Sequence, residues 1–129
     1  MRFEHFALNV SVSSVIAQWY VAHLGFSIVR RLDVVPHTHF LADDSGRVIV
    51  EFYTNPSATI PNYATMHPLT FHLAVWSSDV KADRARLEQA GATLFQEEVL
   101  PNGSQLTMLR DPWGLPLQLC RRTNPFPRD

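Results

Sequence analysis

FEHFALNV (residues 3–10) alternates with the period of a β-strand, and residues 13–24 then bring Ile16, Trp19, Tyr20, His23 and Leu24 round at helical spacing. Ser13 or Ser14 is the expected N-cap of that helix, and Gly25 stands where a helix closes on a left-handed glycine. Strand-like runs follow at 26–34, 38–42 and 48–54, the last pair separated by the turn-forming Asp43-Asp44-Ser45-Gly46. The stretch 55–68 holds Pro56, Pro61 and Pro68 without periodicity and reads as a linker. Beyond it the plan repeats. A strand at 69–76 precedes a helix opened by Asp79 and closing near Gly91, with Val80, Leu87 and Ala90 on its apolar side. Strands at 92–99, 104–110 and 115–121 complete the set, and residues 123–129 read as an irregular tail.

The repetition has a fixed period. His5 and His72, Glu51 and Gln118, and Asp44 and Asp111 are each 67 residues apart. A duplicated strand–helix–strand–strand–strand module is the expectation, with modules at 1–54 and 69–122 joined by the linker into one domain.

Four polar residues interrupt these apolar strands, and parity assigns them to one side. Phe6, Leu8 and Val10 oppose His5; Val48, Val50 and Phe52 oppose Glu51; Phe71, Leu73 and Val75 oppose His72; Leu117 and Leu119 oppose Gln118. Taken singly, a strand histidine is more often a satisfied core or rim residue, and a strand glutamate is usually solvated. Taken together, the four project from the face away from the helix. Two imidazoles, a carboxylate and an amide oxygen suit one divalent transition metal per site (Zn, Ni, Co, Mn or Fe(II)) better than Ca or Mg. By the same parity Asn9, Tyr53, Thr70 and Trp76 line the cavity with the four. His37 and His39 read as rim or surface residues, and Cys120 as a small filler.

Composition narrows the classes further. With 129 residues, 46% hydrophobic and 18% charged, the chain suits one globular domain. A net charge of −1 gives no footprint for nucleic acid or anionic membrane. No apolar run approaches a membrane span, and the N-terminal decad lacks the form of a signal peptide, so a cytoplasmic location is expected. The single cysteine excludes an intrachain disulfide.

FEHFALNV, VIVEFYTNP, TFHLAVWSSDV and DPWGLPLQLC carry a resemblance to the vicinal oxygen chelate superfamily, over nearly the whole chain to about Arg122. The resemblance implies an α+β fold of two tandem βαβββ modules forming a cupped, eight-stranded mixed sheet with helices on its outer face. It also implies that His5, Glu51, His72 and Gln118 occupy the four metal-ligand positions of bacterial glyoxalase I. That family has glutamate where this chain has Gln118, and an amide cannot accept a proton as a base at neutral pH. Glu51 is therefore the expected catalytic base. The expected function is a glyoxalase-like metal-dependent enzyme, of the isomerase or lyase kind, acting on a small substrate chelated through neighbouring oxygens. The alternatives are a small-molecule binding protein of the bleomycin-resistance type, with no chemistry, or an extradiol dioxygenase-like enzyme. A homodimer is expected, because half-sheets leave edges that a second chain can cover.

Overall fold

The computed structural model describes residues 1–127. The chain forms β1 (Phe6–Asn9), α1 (Ser13–Leu24), β2 (Ser27–Arg31), β3 (His39–Ala42) and β4 (Val48–Tyr53), then β5 (Leu73–Trp76), α2 (Val80–Gln89), β6 (Thr93–Val99), β7 (Gln105–Arg110) and β8 (Pro116–Arg121). A 3₁₀ turn at Tyr63–Thr65 stands between the two series. The two βαβββ modules are thus present, and the fold is α+β.

The strands make two four-stranded sheets, ordered β1-β4-β3-β2 and β5-β8-β7-β6, rather than one continuous eight-stranded sheet. In each, the first and last strands of the module pair in parallel and the others run antiparallel. The sheets belong to two compact units, Met1–Pro61 and Asn62 onward, so the stretch 55–68 is divided between them. The last two residues of the expected tail lie outside the described residues. Thr123 is held by the Ser104 hydroxyl and donates to the Asn102 carbonyl.

Each helix packs on one face of its own sheet, and the opposing-parity residues fill the space between. In the first unit Ile16 and Tyr20 meet Leu41, Val50 and Phe52, all nearly inaccessible, with the Tyr20 and Phe52 rings 5.1 Å apart. In the second, Leu87 of α2 shares the core with Leu109, Leu117 and Leu119. Burying each such leucine stabilises the fold by roughly 1.5–3 kcal/mol, so this pattern dominates the choice of face. The face that remains carries the polar residues.

Four local expectations are corrected. The residue at the N-cap position of α1 is Val12, with no side-chain cap; Ser13 instead donates its hydroxyl to the His37 carbonyl at 2.6 Å. Asp79 does cap α2, accepting from the Ala82 amide, and Gly25 closes α1 at φ 72°. The strand predicted at 69–76 begins only at Leu73, because residues 67–70 turn, with the Thr70 amide donating to the His67 carbonyl. The strand predicted at 3–10 is likewise shortened to Phe6–Asn9. His39 is buried, its Nδ1 donating to the His37 carbonyl, whereas His37 is exposed.

Both sheets carry a one-residue bulge in the same place. Ile28 and Arg30 face Leu41 and Phe40, leaving Val29 over; Leu94 and Gln96 face Leu109 and Met108, leaving Phe95 over.

Candidate metal centre

In the first unit His5 sits one residue before β1, and Glu51 lies mid-strand in β4, in register with Ala7. The parallel pairing brings His5 Nε2 to 3.1 Å from Glu51 Oε2, with the two side chains 30% and 15% exposed. Glu4 closes on the other ring nitrogen, Nδ1, and Phe40 packs edge-on against the imidazole at 5.3 Å. A recess of about 230 Å³ is lined by Glu4 and Phe40, the two residues against the His5 ring, together with Val29, Arg30 and Val48.

In the second unit His72 sits one residue before β5, and Gln118 lies mid-strand in β8, in register with Ala74 and Met108. His72 Nδ1 is 3.0 Å from the Pro68 carbonyl. A carbonyl only accepts, so Nδ1 is the donor there, and Nε2 is the nitrogen that a metal would engage. That arrangement, an imidazole fixed by a backbone carbonyl, is the one that prepares a histidine to bind metal through its other nitrogen. Gln118 Oε1 accepts from the Cys120 thiol at 3.2 Å. Burial pushes the Cys120 thiol above its usual value, with Arg122 pulling the other way, so it remains a donor.

The donor chemistry fits a divalent ion at His5 and Glu51. Two ligand atoms about 2.0–2.1 Å from one ion lie about 2.8–3.0 Å apart at octahedral angles and about 3.3–3.4 Å apart at tetrahedral ones, a span that includes the observed separation. Glu4 on Nδ1 supplies the carboxylate partner that metal-binding histidines commonly have. Among the described residues no group of three or more His, Cys, Asp or Glu side chains is placed to hold a metal ion. The donors come as one imidazole and one oxygen in each unit.

The residues expected to line the cavity divide. Tyr53 ends β4 part-buried, and Trp76 ends β5 52% exposed. Asn9 is committed to structure: its Nδ2 donates to the Asn55 and Ala58 carbonyls and its Oδ1 accepts from the Asn55 amide. Thr70 is exposed and lies in the turn before β5. Sequence reasoning passed over Glu4, although it adjoins His5, and Phe95, whose place at a bulge is set by pairing with β7.

The model of the glyoxalase-like domain family matches residues 5–120, and the chain belongs to this family, within the vicinal oxygen chelate superfamily. Among solved structures, it is similar to a glyoxalase family protein from Enterococcus faecalis, at 25% identity and a TM-score of 0.68, covering 93% of this chain and 97% of that one. TnmS3, an antibiotic binding protein from Streptomyces sp. CB03234, shares the fold at 21% identity and a TM-score of 0.67, covering 93% and 94%. A glyoxalase I mutant from Zea mays does so at 20% identity and a TM-score of 0.72, over 95% of this chain but 46% of that one. No curated protein matches the chain. No helix among the described residues is long and apolar enough to cross a membrane.

Proposed function

We propose that the chain is a glyoxalase-like enzyme of the isomerase or lyase kind, in which His5 and Glu51 hold a divalent transition metal and Glu51 also moves a substrate proton. The observation that carries this reading is the 3.1 Å approach of His5 Nε2 to Glu51 Oε2 on a part-buried face. His72 and Gln118 are proposed as the second unit's donors, on their 67-residue equivalence to the first pair and on the open Nε2 of His72. When bound, the ion would supply Lewis-acid polarisation of a substrate carbonyl.

The protein's own residues do the rest. Glu51 is the one carboxylate of the proposed set, so it takes the proton from the carbon next to the carbonyl and returns it to the product. Gln118 of the second unit cannot accept a proton as a base; its Oε1 accepts from the Cys120 thiol. The recess lined by Glu4 and Phe40 holds the substrate, with Arg30 and Glu4 supplying charge of both signs at its wall.

The test is proton exchange. Metal-reconstituted protein in D₂O, offered a panel of small α-hydroxycarbonyl compounds, is expected to wash out the α-proton of at least one, and Glu51→Gln to slow this by about 10²–10⁴-fold. Metal bound but no compound exchanged would overturn the enzyme reading in favour of binding without chemistry. That second reading has its own support: an amide replaces a possible base at Gln118, and Trp76 offers an exposed ring. We also propose a homodimer, because each four-stranded sheet leaves edge strands that a second chain can cover. A sedimenting mass near 14.7 kDa at micromolar concentration would overturn that.

A further inference from the structure

The second unit carries a recess of its own, of about 120 Å³, lined by Pro68, Leu69, Phe95, Leu106 and Met108, with Gln118 among its polar groups. Its walls come from the bulge. In a regular ladder, Leu94 facing Leu109 would put Phe95 opposite Met108 and Gln96 opposite Thr107; here Gln96 faces Met108 instead. The extra residue resets the alternation, so that Gln96 joins Met108 and Gln118 on one face and Phe95 is turned to the same recess. Phe95 is held there: the His67 ring meets it edge-on at 5.5 Å, and the Arg110 guanidinium stacks over it at 5.6 Å.

The equivalent bulge in the first unit shows what is particular here. There the same two positions are Val29 and Arg30, and the recess is charged; here they are Phe95 and Gln96, and the recess is apolar. The single charged side chain in the lining is Glu98. Arg110, the cation nearest Phe95, is outside the lining and donates to the carbonyls of Tyr63, Gly114 and Met66. Nothing in the wall therefore rewards an anion, and Glu98 opposes one.

We infer that this recess is a binding site for a single apolar ring or a branched alkyl group that is neutral or positively charged. The volume is on the scale at which apolar cavities of about 150 Å³ accept benzene. Phe95 offers a ring edge and face, Met108 a polarisable and adaptable thioether, and Gln118 a polar group for the substituent. The binding stands independently of the proposed function. The ligand class it names is a small neutral or cationic compound bearing one apolar ring or branched alkyl group. A ligand with several carboxylates is disfavoured.

The experiment uses three probes that share one ring and differ in charge: benzyl alcohol, benzylamine and benzoate. The protein has three methionines, Met1, Met66 and Met108, so methyl-labelled methionine gives a reporter inside the recess and a remote control at Met1. Titrations run on metal-stripped protein, so that failure of the metal centre and failure of this site are read separately. Expected are saturable shifts of the Met108 methyl with benzyl alcohol and benzylamine, a Met1 signal that stays put, and benzoate about fivefold weaker than benzylamine. Gln96→Trp, on an exposed strand position, fills the recess and abolishes the shift; Phe95→Ala weakens it; Glu98→Gln closes the gap between benzoate and benzylamine. No saturable Met108 shift with any probe would overturn the site. Benzoate binding as tightly as benzylamine to the unaltered protein would overturn the charge preference.

Discussion

Replacing Gly114 with alanine drives a methyl group into backbone. Gly114 sits at φ 87°, and a Cβ built there would lie 2.6 Å from Ala64 Cβ and 2.7 Å from both Ala64 Cα and Ala64 N. The left-handed conformation alone costs a non-glycine residue about 1–2 kcal/mol. The collision adds about 1–3 kcal/mol, because the obstacle cannot swing away. Ala64 belongs to the 3₁₀ turn, which Arg110 fixes through the carbonyls of Tyr63 and Met66. On the other side, Asp111 locks the turn by accepting from the Trp113 and Leu115 amides at 2.9 Å each. The expected loss is about 2–5 kcal/mol, or a Tm lower by about 6–20 °C in a chain of this size. Gly46→Ala is the control: φ is 77°, but nothing lies within 4 Å of the added Cβ, so only the conformational part is lost. Thermal and urea melts followed by circular dichroism read both variants. A Gly114→Ala loss no greater than that of Gly46→Ala would refute the reasoning, since the contact with Ala64 would then carry no cost.

Two further outcomes follow from the charged and thiol groups. Burial pushes the Asp83 carboxyl up, but the Ser77 hydroxyl at 2.6 Å and the Arg86 guanidinium outweigh it and hold the group below its usual value. The folded state therefore favours the charged form, and that stabilisation is present above the unfolded value of about 3.9 and lost as pH falls through the folded one. Ser77→Ala should thus lower stability at pH 7 by about 1 kcal/mol and by progressively less below pH ~4, as pH-resolved urea melts will show; a deficit constant down to strong acid contradicts it. Cys120 is 6% exposed and its thiol is raised by burial, so iodoacetamide at pH 8 should label the folded protein about 100-fold or more slower than the unfolded one. Comparable rates in buffer and urea would place the thiol at the surface.

The sequence was most informative where one side chain's direction decides between core and open face. Ile16, Tyr20, Val50 and Phe52 could only be buried together, and their parity carried His5 and Glu51 to the opposite side. The 67-residue offset made the second module readable from the first. Local geometry was less legible, because it depends on partners distant in the chain. Ser13 has the composition of a cap, but the His37 carbonyl competes for its hydroxyl. Asn9 shares parity with His5, yet the Asn55 and Ala58 backbone takes its amide. Thr70 was assigned a face by an alternation that begins only three residues later. The bulges at Val29 and Phe95 left no mark in composition, since each is defined by pairing with another strand.

The pairing of His5 and Glu51 on one divalent ion is tested most directly by a double-mutant cycle on Zn(II) affinity, measured by competition with a chromophoric chelator. About one Zn(II) per chain is expected for the unaltered protein, with His5→Ala and Glu51→Ala each weakening it by more than about tenfold. Because the two donors share an ion, the second substitution should cost less in the presence of the first, leaving a coupling of about 1 kcal/mol or more. Affinity untouched by either substitution, or two losses that simply multiply, would contradict a shared ion at this pair.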